Sequence, residues 1–233
     1  MDYVILNGVK STTIKGLLIQ SLPPITKPLM RTSVMEIDGR DGDIVTPLGF
    51  QAYDKPMSIG LFGDYDVYEV IRYFNSDGIV IFSNEPDKFY KYQIIQQINF
   101  EKLIRFKTAT VTFHVQPFKY SAVDDVFTFN VDNVDNFSIF NRGNVVAKPK
   151  LTIYGSGTIV LNINGSDLFE IDLGSADYIT IDSAQMNAYQ GETLMNRYVV
   201  GDYSNLTLNV GTNVISWTGN VTQIEIENFS RWI

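Results

Sequence analysis

Alternation of apolar and polar side chains dominates the second half of the chain and predicts strands with one buried face. Phe127, Phe129 and Val131 alternate with Thr128 and Asn130, and Ile159, Leu161 and Ile163 with Val160 and Asn162. Phe169, Ile171 and Leu173 face away from Glu170 and Asp172, Ile179 and Ile181 flank Thr180, and Leu206, Leu208 and Val210 interleave with Thr207 and Asn209. Near the end, Ile224 and Ile226 oppose Gln223, Glu225 and Glu227. Turn formers stand between these runs at Gly155-Ser156-Gly157, Asn164-Gly165-Ser166, Gly174-Ser175, Gly211-Thr212-Asn213 and Gly219-Asn220. Hairpins stacked into an antiparallel β-sandwich follow from that rhythm.

The first half is mixed. Strands are predicted at 33–38, 57–62, 79–83, 89–99 and 105–115, together with one amphipathic helix. Val67, Val70, Ile71 and Phe74 fall at i, i+3, i+4 and i+7, and Asp66 with Glu69 three residues on forms a capping box. Asn75-Ser76-Asp77-Gly78 ends the helix. Gln93–Leu103 also reads as helix through Ile94, Ile95 and Ile98, although its Tyr and Ile density favours strand. The expected fold is mainly β: an N-terminal sheet or sandwich with one helix, then a C-terminal antiparallel sandwich.

Charge sharpens the division. The net charge is −8, and residues 1–122 carry 13 basic and 13 acidic side chains against 5 and 13 in 123–233, so the whole excess lies in the second part. Asparagine shifts the same way, 4 against 14, as expected where tight turns join short strands. Two domains are expected, 1–122 and 123–233, joined through Pro117 to Asp125, with Asp124-Asp125 as linker. An acidic chain disfavours nonspecific nucleic-acid binding. Val4 follows an N-terminus without a basic region, and no run approaches ~18 apolar residues, which predicts a soluble chain without a membrane partner. The five N-x-S/T triplets, at Asn136, Asn164, Asn205, Asn220 and Asn228, read as Asn-rich turns.

Candidate chemistry is sparse. There is no cysteine, which removes disulfides, thiolate zinc sites and cysteine nucleophiles, and a single histidine, His114. Alternation sets His114 beside Thr110 and Thr112 on the face opposite Val111, Phe113 and Val115, with no local carboxylate or nucleophile, so it reads as a partly exposed sheet histidine. Asp38-Gly39-Arg40-Asp41-Gly42-Asp43 has acidic residues at loosely alternating positions but lacks the distal Glu of a calcium loop; a hairpin turn between Val34–Ile37 and Ile44–Val45 explains it. No spacing singles out a carboxylate pair for glycoside hydrolysis. No catalytic, metal or cofactor residue is assigned. Aromatic residues outside clean alternation, among them Phe50, Tyr53, Tyr65, Tyr68 and Tyr120, suit either packing or an interface. Trp217 and Trp232 could form a sugar-stacking platform, although Trp217 shares a face with Ile215 and reads as core.

Several segments together resemble the distal tail protein (Dit) family of long-tailed phages infecting Gram-positive bacteria. Tyr3-Val4-Ile5-Leu6-Asn7-Gly8, the turn Ile37 to Gly42 with the arm after it, and Thr110 to Tyr120 are similar to that family's N-terminal ring domain. Asn141-Arg142-Gly143-Asn144, Lys148 to Gly155, Ile181-Asp182-Ser183 and Leu208 to Asn213 are similar to its galectin-like C-terminal domain. The resemblance implies a non-enzymatic baseplate hub in the virion tail tip, made in the host cytoplasm. Six copies would close into a ring between the major tail (tube) protein and the tail-associated lysin (Tal), with receptor-binding proteins as further partners and DNA passing through the lumen. It also implies an inter-subunit arm around residues 38–60, for which Arg40, Asp41, Phe50 and Tyr53 are the candidate residues. The C-terminal part holds no histidine, so galectin-type sugar binding does not carry over. The alternative reading is a carbohydrate-binding module or receptor-binding protein of the tail tip.

Overall fold

The computed structural model describes residues 2–123, 126–132 and 134–233. Asp124 and Asp125 of the expected linker lie outside the described residues. The chain divides into two compact units, the second spanning Val123–Trp232.

The first unit carries β1 (Val4–Leu6), β2 (Val9–Lys10), β3 (Leu17–Ser21), β4 (Met30–Glu36), β5 (Asp43–Phe50), β6 (Tyr53–Leu61), α1 (Val67–Tyr73), β7 (Gly78–Phe82), β8 (Lys88–Gln93), α2 (Phe100–Phe106) and β9 (Thr108–Ser121). An antiparallel sheet runs β2-β1-β7-β8-β9-β6-β3, while β4 and β5 pair only with each other. The alternation expected around His114 holds: Ala109, Val111, Phe113 and Val115 are buried and Thr110 is exposed. Val4, Met57, Ile59, Val80 and Phe82 join them in one core, which Val70 of α1, Phe74 just after it and Leu103 of α2 complete.

Helix α1 begins where its sequence signals it. Asp66 accepts hydrogen bonds from the backbone N–H of Tyr68 (2.9 Å) and Glu69 (3.4 Å). Only half of the capping box forms, because the Glu69 carboxylate accepts instead from the Lys15 backbone N–H at 3.4 Å. The expected strand 89–99 ends at Gln93, and the single-helix expectation is corrected by α2. Asn99 caps α2 by accepting from the Lys102 N–H at 2.7 Å, and Lys107 ends it in the left-handed region, at φ 59°.

The second unit carries β10 (Val126–Asn130), β11 (Asn136–Asn141), β12 (Lys150–Ile163), β13 (Ser166–Asp172), β14 (Tyr178–Asp182), β15 (Asn187–Gln190), β16 (Thr193–Leu194), β17 (Val199–Gly201) and β18 (Gly211–Glu227). Two long strands, β12 and β18, pair along their lengths. The first half of β12 lies between β14 and the end of β18, which carries β10; its second half lies between β13 and the start of β18, which carries β11. The sheet curls back on itself, so Phe129 of β10 stacks on Phe137 of β11 with ring centroids 4.5 Å apart.

Two expected turns are therefore kinks. Gly155-Ser156-Gly157 and Gly219-Asn220 lie inside β12 and β18, where the pairing register shifts. The strands approach so closely there that a Cβ on Gly155 would sit 2.1 Å from the Asn220 carbonyl oxygen, and one on Gly219 2.3 Å from that of Thr158. Leu206 to Val210 is not a strand: Leu206 and Leu208 are buried, but the segment makes only a bridge from Leu208 to Ala147, and Val210 is exposed.

Candidate functional site

The feature of the first unit that its core does not explain is the β4–β5 hairpin. The register pairs Val34 with Val45, Met35 with Ile44 and Glu36 with Asp43, and slips between Arg31 and Thr32. Cross-strand partners share a face, so Val34 and Val45 lie on one side and Met35 and Ile44 on the other. Both sides are open: these four side chains are 54%, 54%, 61% and 37% exposed, and no residue of the two strands is buried. An apolar hairpin that buries neither face leaves hydrophobic surface and two strand edges to water, an arrangement that invites a partner. Eight residues of β5 at roughly 3.3 Å each give the arm a reach of about 26 Å.

The tip is the acidic turn. Gly39 and Gly42 take φ of 80° and 76°, and the Arg40 N–H donates to the Ile37 carbonyl at 3.1 Å. Glu36, Asp38, Asp41 and Asp43 give the tip four carboxylates, against one guanidinium, that of Arg40. No group of three or more His, Asp or Glu among the described residues is arranged to hold a metal.

The root is held by a buried polar network. The Lys55 ammonium, on a residue 2% exposed, donates to the Pro24 carbonyl at 2.7 Å and lies against the rings of Tyr90 (5.1 Å) and Tyr53 (5.5 Å). Asn84 donates to the Pro23 carbonyl at 3.0 Å and the Tyr53 hydroxyl to that of Thr26 at 3.4 Å. Behind Lys55, Lys119 pairs with Glu85 at 2.8 Å, and the Tyr90 hydroxyl donates to the other Glu85 oxygen, also at 2.8 Å. Burial pushes the Lys55 ammonium down to about 8; Glu85 opposes that fall and Lys119 adds to it. Burial and the hydrogen bond to Glu85 hold the Tyr90 hydroxyl above its ordinary range.

The four candidate arm residues separate into two groups. Arg40 and Asp41 are at the tip. Phe50 and Tyr53 are at the root, where Phe50 meets Phe118 edge to face at 5.7 Å. Sequence reasoning missed Lys55, Glu85 and Lys119, because no periodicity marks a buried ion network assembled from three separate elements.

The remaining candidates lie elsewhere. His114 pairs through Nδ1 with Asp54 Oδ1 at 2.8 Å, and Gln96 donates to Asp54 Oδ2 at 2.7 Å. The orienting carboxylate missing from the local sequence thus comes from β6, whose Asp54 sits opposite His114 in the register. Trp217 is 5% exposed and packs near Phe137 and Phe129 at 6.0 and 6.2 Å, so it offers no sugar platform. Among the described residues no helix is long and apolar enough to cross a membrane.

No protein-family model and no curated protein matches the sequence. Solved structures do match in fold. The crystal structure of the SPP1 Dit (gp 19.1) protein, called a paradigm of the hub adsorption apparatus in phages infecting Gram-positive bacteria, superposes with a TM-score of 0.68 at 16% identity over 100% of both chains. A chain of the phage P2 baseplate in its activated conformation with Ca superposes with a TM-score of 0.51 at 9% identity, over 100% of this chain and 98% of that one. The fold is mainly β and Dit-like along its whole length.

Proposed function

We propose that this chain is a structural, non-enzymatic hub of a phage tail tip, whose copies close into a hexameric ring between the tail tube and the Tal protein, with a lumen for DNA. The observation that carries the reading is the conjunction of a Dit-like fold over the full chain with a hairpin arm that buries neither face in its own subunit. Residues 1–122 are the ring-forming part and residues 123–233 a peripheral sandwich. A ring of identical subunits needs two different patches that meet head to tail, and a projecting arm supplies one of them. Residues 1–122, with 13 basic and 13 acidic side chains, bring no excess of positive charge to a lumen that must let a polyanion slide.

Light scattering after size exclusion, across a concentration series, followed by negative-stain imaging of the largest species, tests the reading. A closed ring of six is expected. A monomer at every concentration that is also missing from assembled tails would overturn it. At low salt the chain is expected to leave duplex DNA unshifted in a gel.

A further inference from the structure

The arm's exposed apolar residues and acidic tip have a counterpart on the same unit. Helix α2 buries only Leu103. It turns Ile104 and Phe106 to solvent, 43% and 63% exposed, beside Lys102, Arg105 and the residue that ends the helix, Lys107. The Leu61 backbone N–H donates to the Lys107 carbonyl at 3.3 Å, which brings Phe62, 55% exposed, to the same end of the sheet. Lys102, Arg105 and Phe106, at i, i+3 and i+4, share one exposed face of α2, with Glu101 as the helix's own carboxylate, while Lys107 is engaged by the Tyr65 hydroxyl and ring beside Asp64 and Asp66. The arm combines Met35, Ile44, Val34 and Val45 with a tip carrying four carboxylates and one cation. The two surfaces are complementary in charge and alike in being apolar and uncovered.

We propose that the α2 face is the docking surface for the arm tip of a second copy of this chain. The inference rests on the ring reading and adds the receiving half of the contact. The Phe62–Phe106 surface takes the apolar residues of the hairpin, and Lys102 and Arg105 meet Asp41 and Asp43. Arm and helix are different patches of one chain, so the contact is heterologous, repeats from copy to copy and closes when the rotation allows. Charge at its rim sets register and encounter rate, while the apolar centre holds the pair together.

The absence of cysteine makes the test clean. Full-length chain carrying Asp41→Cys together with Arg105→Cys is oxidised at a concentration where the parent assembles. Disulfide-linked oligomers beyond the dimer are expected, collapsing to monomer on reduction, whereas either single substitution stops at the dimer. In parallel, Lys102→Glu with Arg105→Glu is expected to raise the half-assembly concentration by about tenfold or more, and adding Asp41→Lys with Asp43→Lys to restore it to within about threefold. Far-ultraviolet circular dichroism and the melting temperature establish that each variant folds. Rings that form normally with the α2 charges reversed, and that give no linked species beyond the dimer, would overturn the docking face and leave the ring standing. A folded parent chain that stays monomeric at every concentration and is missing from assembled tails would overturn both.

Discussion

Lys55 shows how much one side chain can decide without leaving a trace in the sequence. It sits in a strand with buried Met57 and Ile59 on the same alternation and reads there as one more sheet position. In the fold its ammonium is surrounded by Glu85, Lys119, Tyr53 and Tyr90, from β6, β9, β8 and the turn before β8. The folded chain takes up this proton only near pH 8, whereas the unfolded chain takes it up near 10.5. Between those values the unfolded state binds more protons, so the contribution of Lys55 to stability rises with pH across the window and is flat below it. Side-chain NMR of Lys55 is expected to show a transition near pH 8, and Lys55→Met to remove this part of the slope in urea unfolding between pH 8 and 10.5; a Lys55 that titrates with the exposed lysines would refute the assignment. Glu85 is the network's only carboxylate among these groups. Glu85→Gln leaves two buried ammonium groups without a counter-charge and is expected to cost about 3 kcal/mol in chemical denaturation. By contrast Trp217 was legible as core, because its partner in the alternation, Ile215, points the same way.

Elements were legible where the local signals agreed and hidden where tertiary geometry changed their meaning. Helix α1 has both its apolar stripe and its Asp66 cap in the sequence. Helix α2 has a cap at Asn99 and the spacing Phe100, Leu103, Ile104, but it buries one residue and ends on a left-handed Lys107 where a glycine would have signalled the stop. The glycines of the second unit mislead in the opposite sense. Glycine between apolar runs reads as a turn, yet Gly155 and Gly219 let two long strands bend while their backbones nearly touch, a use that depends on a partner more than sixty positions away. Gly219→Ala therefore meets two penalties, a φ of +95° and a Cβ 2.3 Å from the Thr158 carbonyl. It is expected to lower stability by about 2–4 kcal/mol, well beyond the ~1 kcal/mol of an ordinary glycine replacement, and to do so without altering the first unit. Gly165→Ala is the control. Its φ is +83° but nothing lies within 4 Å of the added methyl, so only the backbone strain applies; equal losses in the two variants would show that close approach does not shape the curl.

At the scale of the whole chain, the two-part division was visible in charge and asparagine usage, and the arm was visible as a turn flanked by apolar residues. That both faces of the hairpin stay open was not visible, because alternation tells which residues share a face and not whether anything covers it. Pro23 and Pro28 are buried at the root, but every residue from Leu29 to Gly49 is exposed, so the strands of the arm add little to the packing that holds their own subunit together. Long exposed strands with apolar side chains are an aggregation hazard that a monomer would be expected to avoid by charge or shortening. Closing the hairpin at its Met30–Phe50 pair with a tight Asn-Gly turn in place of residues 31–49 separates these roles. The shortened chain is expected to keep the parent's melting temperature to within a few degrees, since the Lys55 network and the Phe50–Phe118 contact at the root are retained, and to lose assembly altogether in light scattering. A shortened chain that still forms rings would place the subunit contact elsewhere on the first unit, and one that no longer folds would show that the arm supports its own subunit after all.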